Sequence, residues 1–107
     1  YDLTVSTTPL PNNDGLSPWD SYDAIWADVN SDGFPDLYVV NSGINYLYIN
    51  IVDGSSRGFQ LDTSTPLATD SDTHSRAAAF GDFDGDGDLD LILANANSAP
   101  NRFYAKT

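Results

Sequence analysis

The sequence has no cysteine and no glutamate, a single histidine, and only four basic side chains in 107 residues. Without cysteine there is neither a disulfide framework nor a thiolate zinc site, although that absence leaves the compartment open. Without glutamate, all 16 acidic residues are Asp. Asp belongs to turns, caps and oxygen-ligand metal loops rather than to helix interiors, so a long-helix protein is excluded early. The cations Arg57, Arg76, Arg102 and Lys106 are scattered and stand against a net charge of −12. They cannot build a phosphate-neutralising surface, which argues against nucleic acid or anionic membrane as a partner. No apolar run approaches the ~20 residues of a spanning helix, and no basic-then-apolar leader is seen. The expectation is a mature or excised segment, of one domain at most, with no membrane insertion.

What the chain does contain is a repeat. Residues 24–37, AIWADVNSDGFPDL, align with residues 78–91, AAFGDFDGDGDLDL, at an offset of 54. The register continues, Tyr38-Val39-Val40-Asn41 matching Ile92-Leu93-Ala94-Asn95. After two extra residues, Asn45-Tyr46-Leu47-Tyr48 matches Asn101-Arg102-Phe103-Tyr104. A third echo lies at the start, where Tyr1-Asp2-Leu3 and Thr8-Pro9-Leu10 resemble Phe59-Gln60-Leu61 and Thr65-Pro66-Leu67. Segments rich in β-branched and aromatic residues, separated by Gly, Pro, Asn and Asp, predict strands at 24–29, 37–41, 46–50 and 59–63, then 77–83, 89–95 and 102–106. The expected fold is therefore all-β, two propeller-type blade repeats of four strands. Residues 1–10 read as a closing strand, 22–65 as a complete blade and 76–107 as a second blade lacking its fourth strand. An open strand edge invites β-augmentation, so strands from neighbouring chains are expected to complete the structure.

Each repeat carries oxygen side chains at alternate positions: Asp28, Asn30, Asp32 and Asp36 in the first, and Asp82, Asp84, Asp86 and Asp90 in the second. Alternate residues of a tight loop can turn their side chains inward. Gly33 or Gly87 allows the bend, and the carbonyl of Phe34 or Asp88 adds an oxygen while the Asp88 carboxylate points outward. That many hard donors suit Ca²⁺ better than Mg²⁺, which demands a stricter octahedron. An EF-hand is excluded, since its bidentate Glu would fall at Val39 or Leu93. Solvated Asp-Gly turns are the bland alternative, but two copies in one register between apolar strands favour two calcium sites. Five Asp within residues 82–90 also repel one another unless a cation sits among them. Two Ca²⁺ would bring the formal charge from −12 to about −8.

Phe80-Gly81-Asp82 through Asp90, followed by Ala99-Pro100, resembles the FG-GAP repeat of integrin alpha-chain propellers and the related VCBS-type repeats of secreted bacterial proteins. The resemblance implies an Asp-x-Asp-x-Asp-Gly-x-x-Asp calcium loop in a hairpin between the first two strands of a blade. In the first copy Asn30 replaces one Asp, and Trp26-Ala27 stands in place of Phe-Gly. The Asp53-Gly54 pair is similar to the Asn-x-Asp-Gly turn of those repeats. Adhesion receptors and propeller lectins share this broad group, so fold alone does not transfer function.

His74, beside Asp72, Ser75 and Arg76, does not form a nucleophile elbow or a recognisable triad, and no Glu exists for a glycosidase pair. An enzyme is not expected. Trp26 stands at the first-strand position matched by Phe80, and Tyr48 and Tyr104 stand at equivalent third-strand positions, so these aromatics are expected to be buried between blades. Trp19 and Tyr22 lie on the loop before the first predicted strand, 24–29, and are the candidates for a ligand-contacting surface. The Ser/Thr/Pro segments at 6–9 and 63–66 are of the kind that carries O-linked sugar. The resulting expectation is an extracellular, cell-surface, calcium-stabilised structural or adhesive module. Its expected partners are other copies of itself, in a ring or a filament. A lectin-like propeller that binds glycans, or a slice of a larger propeller receptor, is the alternative.

Overall fold

The computed structural model describes residues 20–66 and 74–106. Seven strands form: β1 (Ser21–Ala27), β2 (Asp36–Asn41), β3 (Tyr46–Asp53), β4 (Ser56–Leu61), β5 (Ser75–Gly81), β6 (Asp90–Asn95) and β7 (Arg102–Tyr104). They make two antiparallel meanders, a four-stranded sheet in the order β1-β2-β3-β4 and a three-stranded sheet in the order β5-β6-β7. The expected all-β, two-repeat organisation is present, with strand bounds moved by at most three residues. β1 and β5 begin earlier and stop at the acidic loops, because Ala27 and Gly81 are the last residues to pair, with Asp36 and Asp90. β3 and β4 run further toward each other, down to the Asp53–Ser56 pair around Gly54, whose φ is +64°. That turn stands where the Asp53-Gly54 signal put it.

The two sheets follow one template. Tyr38 pairs with Ile25 and Leu47 as Ile92 pairs with Ala79 and Phe103; Leu37 pairs with Trp26 and Tyr48 as Leu91 pairs with Phe80 and Tyr104. Both first strands carry an irregularity at the same place, between Ser21 and Asp23 and between Ser75 and Ala77. The turns into β3 and β7 are also built alike. The Asn41 amide donates to Asn45 Oδ1 at 2.8 Å, and the Asn95 amide to Asn101 Oδ1 at 2.9 Å.

Alternation along each strand gives every sheet two faces, and the core forms where one face of the first meets the opposite face of the second. Tyr38, Val40 and Leu47 come from the first sheet, Leu91 and Leu93 from the second, with Ile25, Val29, Phe80 and Tyr104 packed around them. The Phe80 ring meets Tyr38 edge-on at 5.9 Å. Hydrogen bonds among the described residues stitch the sheets, including Asn45 Nδ2 to Ser75 Oγ at 3.3 Å, the Ala78 amide to Asp23 Oδ2 at 3.3 Å, and Lys106 Nζ to the Val29 carbonyl at 2.9 Å.

Trp26 departs from expectation. Its counterpart Phe80 turns into the core, but Trp26 is 62% exposed, because the same template face that looks inward on the second sheet looks outward on the first. Its described aromatic neighbour is Phe59, at 6.1 Å. Tyr48 on that outward face is buried, and burial, with the Tyr46 charge adding to it, pushes its hydroxyl up to about 12. Residues 1–10, read above as a closing strand, lie outside the described residues.

Candidate metal centre

Each acidic loop joins the first two strands of its sheet, at residues 28–35 and 82–89. The polypeptide is held in a coil by its own carboxylates, and the holding bonds are the same in both copies. Asp28 accepts the amides of Asp32 at 3.1 Å and Gly33 at 2.8 Å; Asp82 accepts those of Asp86 at 3.1 Å and Gly87 at 2.9 Å. The third position then folds on itself, Asp32 Oδ1 taking the Phe34 amide and Asp86 Oδ1 the Asp88 amide, each at 2.9 Å. Asn30 and Asp84 accept the Asp32 and Asp86 amides at 3.3 Å. The bend needs left-handed backbone at Gly33 (φ +88°) and Gly87 (φ +91°), the conformation glycine adopts without a side-chain clash.

Asp36 and Asp90 occupy the base of each coil as the first residues of β2 and β6, and both are almost completely buried. Each carboxylate clamps two strands of backbone. Asp36 takes the Val29 amide at 2.9 Å and the Asn50 amide at 2.8 Å; Asp90 takes the Phe83 amide at 3.2 Å and the Lys106 amide at 2.8 Å. A buried carboxylate is tolerated when its lone pairs meet donors of this kind, and each oxygen keeps a further lone pair.

The candidate ligands sort accordingly. Asp82, Asp84 and Asp86 bring one carboxylate oxygen each to within 4.8 Å of one another, all exposed at the loop mouth. Asp90 stands outside that triad, behind it. In the first loop Asp28, Asn30 and Asp32 share the same bond pattern, with an amide oxygen in the middle position. The Asp88 carboxylate points away, lying 3.7 Å from Lys106 Nζ. Phe34, at the matching position, presents its ring to the Arg57 guanidinium at 3.6 Å. Sequence reasoning missed this bracing. Arg57 Nε also donates to Asn50 Oδ1 at 2.7 Å, and Asn50 Nδ2 to the Pro35 carbonyl at 2.9 Å. Only the pairing of β3 with β4 brings these residues to the loop, although the match of Asn50 and Lys106 two residues past Tyr48 and Tyr104 was a signal.

The carboxylates of the second loop perturb one another. Asp84 is raised above the ordinary carboxylate range, by lost solvation first and then through Asp86 and the charge of Asp90. Asp82 is held below that range, chiefly by the Gly87 amide. The donor set, carboxylate and amide oxygens in a coil that already has its bend, fits Ca²⁺.

The other candidates are less organised. Tyr22 is exposed, and the Arg76 guanidinium lies 4.4 Å from its ring centroid. Trp19 and Asp72 fall outside the described residues. The Ser75 hydroxyl is fully buried, where it accepts from Asn45, and the His74 carbonyl accepts the Ala96 amide at 2.8 Å.

Comparison with curated proteins and with solved structures gives no significant match. The family model for the FG-GAP-like repeat matches residues 28–93, from Asp28 at the start of the first loop to β6, the strand that follows the second. With more than half of its length matched and both acidic loops inside the match, the chain belongs to the FG-GAP-like repeat family.

Proposed function

We propose that the chain is a non-enzymatic, calcium-stabilised structural or adhesive module that works outside the cell and assembles with further copies of itself. The observation that carries the calcium reading is the convergence of the Asp82, Asp84 and Asp86 carboxylates within 4.8 Å, in a coil built bond for bond in both repeats. Asp28, Asn30 and Asp32 would hold one ion with the Phe34 carbonyl and Asp36. Asp82, Asp84 and Asp86 would hold the other with the Asp88 carbonyl and Asp90. A bound ion supplies positive charge at the point where the carboxylates repel, joining the mouth of the coil to its buried base. The family supports the extracellular reading, since FG-GAP-like repeats occur in extracellular proteins. No helix among the described residues is long and apolar enough to cross a membrane.

Assembly is supported by β7, which is an edge strand among the described residues. Residues 1–3 repeat the Phe59-Gln60-Leu61 stretch that covers the equivalent edge of β3. A strand supplied by a neighbouring chain would satisfy that edge.

The calcium reading is tested by heat denaturation in calcium, in magnesium and in chelator. At a free calcium level 100 times the dissociation constant, each site adds about 2.7 kcal/mol, so the midpoint rises by several degrees in calcium and much less in magnesium. Identical midpoints in all three buffers would remove it.

A further inference from the structure

The contact between the two sheets is asymmetric; the repeat displays its receiving half a second time and its inserting half through Trp26, while Leu37 and Tyr48, the equivalents of Leu91 and Tyr104, are already buried. The first sheet uses Ile25, Val29, Tyr38 and Leu47 to receive the second. By the template those positions correspond to Ala79, Phe83, Ile92 and Phe103, and all four are exposed. Phe83, Ile92 and Phe103 are 66%, 47% and 52% exposed, with the Phe83 and Phe103 rings packed edge-on at 4.9 Å. Together with Ala79 they line a depression of about 310 Å³. The other half of the contact is made by Phe80, which inserts against Tyr38. Its counterpart Trp26 stands exposed on the outer face of the first sheet.

Polar residues keep the same correspondence. The buried bond from Asn45 to Ser75 across the sheet contact has residues of identical type at its repeat equivalents, Asn101 and Ser21, and both are exposed. Asn101 Oδ1 takes the Asn95 amide just as Asn45 Oδ1 takes the Asn41 amide, so the side chain is already fixed in the matching orientation.

We propose that a second copy of this chain docks the outer face of its first sheet onto the Phe83–Ile92–Phe103 face, continuing the contact that already joins the two sheets. Trp26 of the incoming copy enters the depression against Ile92, as Phe80 meets Tyr38, and its Ser21 meets Asn101. The contact is head-to-tail, with different surfaces on the two copies, so it adds copies until it closes into a ring or extends as a filament. This rests on the self-assembly reading above and gives it a surface and a direction.

The test is sedimentation equilibrium in calcium, on the unmodified chain and on Trp26→Ala and Phe103→Ser. Both positions are exposed, and retained heat-denaturation midpoints check that the variants fold. The unmodified chain should exceed monomer mass with rising concentration. Each variant alone should associate about tenfold or more weakly, the usual consequence of losing an aromatic anchor. An equimolar mixture of the two variants should recover a dimer, because each keeps the surface the other lacks; Gln60→Ala, at an exposed position opposite Ile49 on the inner face of the first sheet and so outside both docking faces, should associate normally. A monomer at every concentration of the unmodified chain would overturn self-assembly altogether. Assembly undiminished by either substitution, or mixed variants that stay monomeric, would overturn this arrangement and leave self-assembly by another surface.

Discussion

Individual carboxylates in this chain do different work although the sequence writes them all as Asp. Asp90 is buried with two backbone amides on it, whereas Asp86 is exposed at the loop mouth. Asp90→Ala should therefore cost about 1–3 kcal/mol in chelator, the price of two stranded buried donors. Asp86→Ala should leave the chelator midpoint nearly unchanged and abolish one calcium site. Denaturation of both variants in chelator measures the difference. Asp62 provides a pH handle away from the metal loops. Partial burial opposes its ionisation, but hydrogen bonds from the hydroxyls and amides of Thr65 and Ser64 outweigh it and hold the carboxyl below its ordinary value of 3.8. Stability from Asp62 is thus complete above that value and disappears as the pH falls through the lower, folded-state value. Acid denaturation of Asp62→Asn should be correspondingly less steep, and an unchanged acid limb would contradict the assignment. The acidic coils were legible because alternate Asp residues recur at a fixed offset. The division between mouth and base was not, because it depends on which strands bring their amides to Asp36 and Asp90.

At the scale of the strand and loop, the hairpin coil depends on left-handed backbone at its sixth position. Gly87→Ala forces a β-carbon into φ +91° and should destabilise the chain by about 1–2 kcal/mol, whether or not calcium is present. Gly81→Ala is the control. Its backbone is not left-handed and a β-carbon there meets nothing within 4 Å, so its midpoint should stay within the usual range of a neutral surface change. Equal losses in the two variants would show that the bend is not set by the glycine. Strand identity was readable from β-branched and aromatic runs, and the Asp53-Gly54 turn from its residues. Strand ends were less so: β1 stops at Ala27 because Asp28 turns inward to accept the Asp32 and Gly33 amides, a bond no local pattern announces.

Across the whole molecule the repeat has two consequences, a doubled acidic coil and a doubled set of packing positions. The alignment at offset 54 disclosed the first. It also matched Trp26 with Phe80 and led to the expectation of a shared buried environment, which fails because equivalence within a repeat does not include equivalence of neighbours. Phe80 has the first sheet in front of it, and Trp26 stands on the face the second sheet does not reach. Lys106 ties these levels together: its amide serves Asp90, while its side chain lies beside Asp88 and bonds to Val29 in the other loop. The second coil is thus fastened to the first, and the two loops belong to one structural unit rather than to independent hairpins.

Calorimetric titration with calcium bears most directly on the account, performed on the unmodified chain and on Asp32→Ala and Asp86→Ala. Two ions should bind per chain, and each variant should bind one, with Asp88→Ala retaining both because its carboxylate faces Lys106. Absence of calcium uptake by the folded unmodified chain, or two ions bound by both Asp32→Ala and Asp86→Ala, would contradict the claim that each acidic coil holds a metal ion.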